Sequence, residues 1–422
     1  MKHHLIKLIP AGLLASICIS TAQVKEPPQS IEALIAKSLS NNPEIAVYQA
    51  AIDSGKAGLE QAGRWSNPEL NLGSGLNRIS SGAGFQNGHV MSVSLSQRIE
   101  FPQRIQLRKA IANGDIKLAE LGLERFRMNV ENRIREAAYA HQSSLELMTL
   151  YTRVSDRAEN LLQALVQRDP AGVAPLLQRR VIEALLVQLH LKSRGYQLEA
   201  ERHLMELNYL AGNAPDARLL LAPFEVQLND LPSAQVLHDI ASTNNFELAF
   251  HAEEISQQGY RVELAKSERW SELTLEPFFE RETGGGPQNV IGLGISLPLP
   301  IWNRNKGNIK AAEIRETQLA AAISASFRQI QKDLSFHAQG YKASLEQVRR
   351  WGKEVIGEFE SSAELADRHF RLGAIEVSTY IELQTQYLEA SEALLEQRND
   401  AYGHLLEIEL LLGRSLGERN PQ

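Results

Sequence analysis

An internal duplication organises this 422-residue chain. The segment HLMELNYLAGN (203–213) aligns with HLLEIELLLGR (404–414) at an offset of 201 residues. Near the start of each half, NNPEIA (41–46) matches NNFELA (244–249). A repeated sequence indicates a repeated structural unit, so we expect two similar halves rather than one irregular domain. The predicted first repeat spans 23–222, the second spans 223–416, and a tail follows at 417–422.

The N-terminal segment has the pattern of an export signal. Two lysines precede an apolar core at residues 8–19, and a run of small residues ends at Ala22. This pattern predicts a signal peptide at residues 1–22, cleaved after Ala22. Cys18 raises the alternative of a lipid-anchored cysteine, but the residue before it, Ile17, is larger than such sites require. Cleavage after Ala22 removes the only cysteine, so the exported chain has no disulfide.

Each half has the same predicted order of elements. A first helix precedes two segments of alternating apolar and small polar residues, which predict strands of eight to nine residues joined by a Gly/Ser-rich loop. A very long helix then turns at a glycine and returns as a shorter helix. At 1.5 Å per residue the long helix would measure about 95 Å, which no compact domain holds. The predicted first helices span about 31–63 and 233–268, the loops 77–88 and 281–289, and the long helices about 105–168 and 308–371.

Four strands per chain are too few to close a sheet around a channel. Their length approaches that of a tilted membrane strand, and an open edge cannot face lipid because its amides and carbonyls would lack partners. Closure therefore requires several copies of the chain. Two copies give eight strands with almost no lumen, whereas three give twelve. We predict a mainly α protein with a small β part, in which long antiparallel helical hairpins form an α-barrel and four membrane strands per chain contribute to a shared trimeric 12-stranded β-barrel.

Two tryptophans precede predicted strands. Trp65 and Trp270 lie between the predicted first helix and the first strand of each half. They fit an aromatic belt at a membrane boundary, and they fit equally well packing at the junction between helix and strand.

Composition and motifs argue against other functional classes. The formal net charge of −7 is spread in mixed clusters with no basic tract, so nucleic acid is not a predicted partner. The chain has no G-x-S-x-G, no H-E-x-x-H and no phosphate-binding loop, and its carboxylates lie on long amphipathic helices. We therefore predict no enzymatic activity, no cofactor and no resident metal ion.

Four segments of the chain resemble the TolC family of outer-membrane efflux channels. They are NPEIAVYQAAIDSGKAGLEQA (42–62), SQRIEFPQRIQLRKA (96–110), SLPLPIWNRNKGNIKAAEI (296–314) and RLGAIEVSTYIELQTQYLEA (371–390). The second and third are most similar to the heavy-metal efflux branch of CzcC-like and CusC-like channels. The resemblance extends over nearly the whole exported chain.

The resemblance implies partners, location and function. It implies a homotrimer in outer-membrane lipid, with a helical tunnel in the periplasm that docks on a periplasmic adaptor (membrane fusion) protein and an inner-membrane resistance-nodulation-division (RND) pump. It implies passive conduction of cargo, here heavy-metal cations, to the cell exterior. Two alternatives remain open: an efflux channel for organic toxicants, and a periplasmic coiled-coil scaffold or adaptor that does not cross a membrane.

The same resemblance implies that the two glycine turns are docking positions. Gly172 and Gly373, which the duplication pairs, would mark the periplasmic tips where adaptors dock. Arg371, Leu372 and Gly373 fit the R-x-G tip motif of the family, whereas the first tip departs from it by carrying two prolines. Arg371 is also interpreted as a helix C-terminal charge that complements the dipole.

Acidic residues near the tips are candidates for a constriction. By resemblance, Glu382 matches a lumen-facing acidic position just beyond the second tip, and Thr379 occupies the position where the family has another. Asp169 and Glu376 are further candidates. The alternative for Glu382 is one more solvated carboxylate on a charged helix.

Histidines give no metal-binding pattern in the sequence. His203 and His404 recur at equivalent positions, so a trimer would hold six of them in one layer. We weigh a metal-binding ring against interface positions inherited with the duplication, and favour the second; whether these histidines face the lumen is open. The remaining helical histidines lack ligand spacing and are predicted surface or packing positions: His141, His190, His337 and His369.

Overall fold

The computed structural model of the protein describes residues 28–81, 84–167 and 173–416. The predicted signal peptide with Cys18, the first-tip residues Asp169 and Gly172, and the predicted tail lie outside this range. In chain order the described elements are α1 (Ile31–Asn41), α2 (Pro43–Ala62), β1 (Glu69–Ser81), β2 (Gly84–Ile99), α3 (Pro102–Gln167), α4 (Val173–Leu210), α5 (Ala234–Asn244), α6 (Phe246–Ser267), β3 (Leu273–Glu282), β4 (Gln288–Ser296), α7 (Lys306–Arg350), α8 (Lys353–Arg371) and α9 (Val377–Leu412).

The first helix of each half is divided in two, which corrects the predicted continuous helices at 31–63 and 233–268. The break falls at Asn42 and at Asn245, whose side chains accept hydrogen bonds from the first turns of α2 and α6. Asparagine is a strong N-cap because its side-chain oxygen satisfies amides that have no partner within the helix. In the first half, Pro43 also occupies the first helical position of α2.

The repeated glycines pack against these breaks. Gly212 and Gly413 follow α4 and α9 with φ of 69° and 67°, a left-handed conformation that favours glycine. A Cβ at position 413 would overlap the carbonyl oxygen of Asn244, and one at position 212 would crowd that of Asn41. The two motifs that reveal the duplication are therefore the two sides of one tertiary contact, formed once in each half.

The longest helix is α3, with 66 residues and a length of about 100 Å. In the second half the predicted single helix at 308–371 is wrong, because α7 ends at Arg350 and α8 begins at Lys353. Trp351 still donates its amide to Gln347, at 2.9 Å, and Gly352, a poor helix former, follows. Among the described helices, none combines the length and apolar character needed to cross a membrane.

The four strands form one antiparallel sheet in the order β1-β2-β3-β4. β1 and β2 have 13 and 16 residues, longer than the predicted eight to nine, while β3 and β4 have 10 and 9. The predicted loop at 77–88 is mostly strand, since Asn77 to Ser81 pair with Gly84 to Gly88. Backbone pairing extends through this Gly/Ser-rich sequence because each added residue gains ladder hydrogen bonds, which period-2 patterning alone does not reveal.

The helices enclose three main apolar clusters. One joins α1, α3 and α4 of the first half, around Leu34, Ile134 and Leu207. A second joins α5, α7 and α9 of the second half, around Leu237 and Leu334. The third lies towards the α8–α9 turn and combines α3 and α4 with α8 and α9. The two halves therefore share a core at the end of the molecule farthest from the sheet.

Arg104 ties the start of α3 to the entry of β3. Its side chain is buried, lies 3.2 Å from Glu272, and donates to the carbonyl oxygens of Ser267 and Trp270. Arg104→Ala removes these three charge-assisted contacts of a buried side chain at once, and we expect it to lower the free energy of unfolding by about 2–3 kcal/mol. Urea unfolding of the purified protein in detergent measures the loss.

Arg98→Ala is the matched control for Arg104→Ala. Arg98 pairs with Glu69 at 2.7 Å, but both side chains are more than half exposed. Exposed pairs contribute about 1 kcal/mol or less. Equal losses for the two variants would contradict an anchoring role for Arg104.

Candidate functional site

The turn between α8 and α9 forms a compact tip. The amide of Gly373 donates to Phe370 and that of Ala374 donates to His369, both at 2.9 Å, and Gly373 has φ of 75°. This geometry closes α8 with a left-handed residue, as its sequence predicted. Leu372, at the apex, is 74% exposed. The tip therefore exposes an apolar side chain in the single chain.

Arg371 pairs with a carboxylate of its own helix. Its Nε lies 3.0 Å from Oδ2 of Asp367, one turn earlier, whose side chain is only 16% exposed. Such a cation in the last turn also complements the helix dipole. Arg371 therefore compensates a largely buried negative charge at the tip, which a freely solvated arginine does not do.

Beneath the turn, two aromatic rings join α8 to α9. Phe370 and Tyr380 are stacked with ring centroids 5.3 Å apart, and Tyr380 is completely buried. Burial raises the pKa of the Tyr380 hydroxyl, and the negative charge of Asp367 raises it further. One turn later, the buried Gln384 donates to the carbonyl oxygen of Ala363 at 2.7 Å. These contacts fix the angle between the two helices.

The predicted constriction candidates at the start of α9 are exposed in the single chain. Glu376 precedes α9 as its N-cap residue, and Thr379 and Glu382 are exposed on its first two turns. Exposed carboxylates continue from Glu382 along the same helix at intervals of four or seven residues. We call this set the acidic stripe: Glu382, Glu389, Glu396, Asp400 and Glu407.

Ion pairs between α3 and α8 were not predicted. Arg153 lies 2.6 Å from Glu360, and Arg157 lies 2.8 Å from Glu364. Each pair joins residues 207 positions apart, so only the i, i+4 spacing on each helix was visible in the sequence. Because α3 belongs to the first half and α8 to the second, these pairs connect the two helical hairpins near the tip.

Glu392 of α9 connects this helix to α3 and α4, farther from the tip than those ion pairs. It accepts hydrogen bonds from Tyr151 of α3, at 2.7 Å, and from Lys192 of α4, at 3.1 Å. Burial acts to raise the pKa of Glu392, but hydrogen bonds from Tyr196, Tyr151 and Lys192 outweigh it and lower the pKa. The carboxylate is thus held in its charged form as part of the contact between hairpins.

The sheet has one apolar face. Cross-strand neighbours in register on this face include Leu72 with Val93, Val93 with Phe279, and Phe279 with Ile291. These side chains have exposures from 41% to 83% in the single chain. We call this surface the apolar sheet face: Leu70, Leu72, Val93, Leu95, Phe279, Ile291, Leu293 and Ile295.

The opposite face of the sheet is polar and contains small residues. Ser94 donates to Glu276 at 2.6 Å, and Asn71 donates to Ser96 at 3.1 Å. β1 and β4 form the two edges, since each pairs with one strand of the chain. One apolar face, one polar face and two edges that pair with no other described strand are features expected of a membrane sheet segment that several copies complete.

Exposed aromatic residues surround the end of the sheet that adjoins the helices. Trp65, Phe101, Trp270 and Trp302 each lie within six residues of the helix-side end of a different strand, with exposures of 51%, 47%, 60% and 93%. Such exposure favours the aromatic-belt interpretation of Trp65 and Trp270 over junction packing.

Known proteins resemble this chain in sequence. Residues 34–212 match a family model described as outer membrane efflux protein. The cobalt-zinc-cadmium resistance protein CzcC of Cupriavidus metallidurans is 22% identical over 391 residues, covering 92% of this chain and 90% of that protein. The family is one of transport proteins, which confirms the prediction that the chain is not an enzyme.

Solved channel structures share the fold. CusC superposes with a TM-score of 0.74 at 12% identity, over 92% of this chain and 93% of that one. The Campylobacter jejuni CmeC outer membrane channel gives 0.73 at 14% identity, over 99% and 96%. The open state of the Neisseria gonorrhoeae MtrE outer membrane channel gives 0.73 at 15%, over 93% and 90%. These likenesses confirm the predicted fold class of long helical hairpins with a small antiparallel sheet.

Proposed function

We propose that this chain, of which residues 34–212 match a family model described as outer membrane efflux protein, is the outer-membrane channel of a tripartite efflux system that exports heavy-metal cations. The chain supplies a passive conduit, and an inner-membrane RND pump supplies the energy. The observation that carries the proposal is the apolar sheet face, which is exposed in the single chain and joined to α3, a helix about 100 Å long. A periplasmic scaffold surrounded by water would leave this apolar surface exposed, which is unfavourable.

The channel is a homotrimer in this proposal. Edges β1 and β4 pair with those of neighbouring copies, so that twelve strands leave no unpaired backbone facing lipid. The helices also present unpaired apolar surfaces on two distant sides of the chain, as a ring of identical subunits requires. On α4 they include Leu176, Val181, Val187, Leu191 and Leu198; on α7, α8 and the turn between them they include Phe336, Trp351, Phe359 and Leu365.

A groove beside Trp351 fits this arrangement. Its volume is about 470 Å³, and its lining is mostly apolar, including Trp351, Phe359 and Leu394. The apolar ridge of α4 from a neighbouring copy supplies side chains of matching character. Adaptor docking takes place at the tips, where Leu372 is exposed beside Arg371.

Two observations support the proposal that the cargo is heavy-metal cations. CzcC, which is 22% identical to this chain, is a cobalt-zinc-cadmium resistance protein. The acidic stripe of this chain concentrates cations near α9, because like charges on one face sum to a negative potential that attracts counter-ions.

Tolerance measurements test the cargo. In the source strain, deletion of this gene should increase sensitivity to cobalt, zinc or cadmium salts and leave tolerance to organic toxicants unchanged. Restoring the gene should restore growth. A loss confined to organic toxicants would replace heavy metals with that alternative cargo, and the absence of the protein from outer-membrane fractions would contradict the channel itself.

Closure of the tip provides a prediction for Arg371. Arg371→Ser removes the cation that compensates Asp367, leaving a mostly buried carboxylate at the turn. We expect the tip to loosen and single-channel conductance in planar bilayers to increase. Arg368→Ser is the control, since Arg368 is exposed in the same turn of α8. Unchanged conductance in Arg371→Ser would remove Arg371 from tip closure.

A further inference from the structure

We propose that His337 and His404 together bind a divalent transition-metal cation between α7 and α9. The Nδ1 atoms of the two rings lie 3.0 Å apart, although 67 residues separate them in sequence. The ring centroids lie 5.3 Å apart and the ring planes are inclined by 64°. Imidazole nitrogen is a preferred ligand of zinc, copper and nickel.

The separation of the two nitrogens fits a shared ion. Zinc binds imidazole at about 2.0–2.1 Å, and bond angles between 90° and the tetrahedral value put adjacent ligand atoms about 2.8–3.4 Å apart. In the metal-free pair one Nδ1 donates a hydrogen bond to the other. To bind the cation, that ring moves its proton to Nε2, so both Nδ1 lone pairs become available without a change in the number of bound protons.

Neighbouring residues fix the two rings. A Cβ at position 340 would overlap ring atoms of His404, so the absence of a side chain at Gly340 creates the space for this imidazole. The ring of Phe336 meets both imidazoles edge-on, with centroids 5.2 Å from His337 and 6.0 Å from His404. The pair is therefore positioned before a cation arrives.

The surrounding charges favour a cation. Asp400 and Glu407, two members of the acidic stripe, lie four residues before and three residues after His404 on α9 and act on it electrostatically. The carboxylate of Asp333 acts on His337 from one turn earlier on α7, although Lys332 pairs with it at 3.0 Å.

The equivalent histidine of the first half has a different environment. Nε2 of His203 lies 3.4 Å from the guanidinium of Arg202, a permanent cation. Arg202 disfavours a metal ion at that nitrogen, although Glu199, Glu206 and His141 also act on the ring electrostatically. The duplicated histidine therefore supplies a matched control within the same chain.

The proposed site is weak and exchangeable. Within residues 28–81, 84–167 and 173–416, no three metal-ligating side chains converge, so water completes the coordination of an ion held by the two histidines. A site on a conduction path must release its ion as readily as it binds it. This role in cargo transit rests on the proposed function, whereas binding itself does not.

Metal titration of purified trimers without a polyhistidine tag tests the proposal. Calorimetry with Zn²⁺ and absorption spectroscopy with Co²⁺ should find one equivalent per chain that His337→Gln and His404→Gln each weaken at least about tenfold. His203→Gln should bind as the wild type does. Gly340→Ala keeps both imidazoles but displaces the ring of His404, and should weaken binding as well.

The outcomes separate this site from the channel function. Identical titrations of the wild type, His337→Gln and His404→Gln, with trimers intact by size-exclusion chromatography, overturn the site. Normal conductance together with absent binding overturns the site and leaves the channel. Binding without conductance leaves the site and contradicts the channel. If a histidine variant fails to assemble, unaltered binding by an assembled Gly340→Ala trimer counts against the proposal.

Discussion

Ile291→Arg should prevent the protein from accumulating as trimers in the outer membrane. Ile291 is 83% exposed near the middle of β4 and belongs to the apolar sheet face, opposite Phe279. An arginine facing lipid near the bilayer midplane costs about 2–4 kcal/mol, and a trimer carries three copies. Heat-modifiable mobility and density fractionation of membranes measure the loss.

Val290→Arg is the matched control for this substitution. Val290 is the adjacent residue of β4, at nearly the same depth, but it points to the polar face and pairs with Glu280 across the sheet. The new cation therefore meets water and a carboxylate. Equal loss of trimers in both variants would show that the two faces are equivalent, which contradicts the proposed orientation in the membrane.

Tyr380→Ala should give the largest loss of stability among single substitutions at the tip. The Tyr380 side chain is completely buried between α8 and α9 and stacks on Phe370. Truncating a buried aromatic residue costs about 3–5 kcal/mol, because both its burial and its packing are lost. We expect a lower thermal midpoint and faster proteolysis at the α8–α9 turn.

Tyr380→Phe separates packing from hydrogen bonding. The hydroxyl oxygen of Tyr380 is buried and makes no hydrogen bond to the described residues. Removing an unsatisfied polar atom while keeping the ring should be neutral or slightly stabilising. If Tyr380→Phe destabilised the tip as much as Tyr380→Ala, the hydroxyl rather than the ring would join the helices.

The sheet and the tip, at opposite ends of the molecule, are stabilised in different ways. In the proposed channel, lipid covers the exposed apolar side chains of the sheet, and other copies of the chain pair with its edges. At the tip, buried aromatic rings and ion pairs such as Arg153 with Glu360 hold helices of both halves together. Because these pairs are partly exposed, each contributes little to stability and can break in an opening motion.

Periodicity and duplication made the element order predictable. Alternation along 89–96 and 290–296 predicted strands, and the three-and-four spacing beyond Leu123 predicted α3. Local breaks were harder to predict. The repeated Asn-Asn pairs were seen as evidence of duplication only, although Asn42 and Asn245 each begin a helix. The break at Trp351 had no strong sequence signal, since one glycine in a charged helical pattern is often tolerated.

The site was only partly accessible from sequence. Gly373 was identified as a turn because a glycine interrupts a helical pattern, and its φ of 75° confirms that prediction. The constriction roles of Thr379 and Glu382 remain predictions, as do the domain limits. The buried state of Tyr380 and its stacking on Phe370 were not predicted, because a tyrosine at a helical position has the same pattern whether it faces solvent or a core.

The sequence by itself determined two similar halves, four strands with one apolar face, and helices too long for a compact domain, because periodicity and repetition are local properties of the chain. Only the tertiary structure decided which distant side chains meet. His337 lacked any ligand spacing in sequence and His404 was notable only as a repeat of His203, yet folding of α7 against α9 brings their nitrogens within 3.0 Å. Such encounters depend on the rotation and register of packed helices, which side-chain spacing along one helix does not specify.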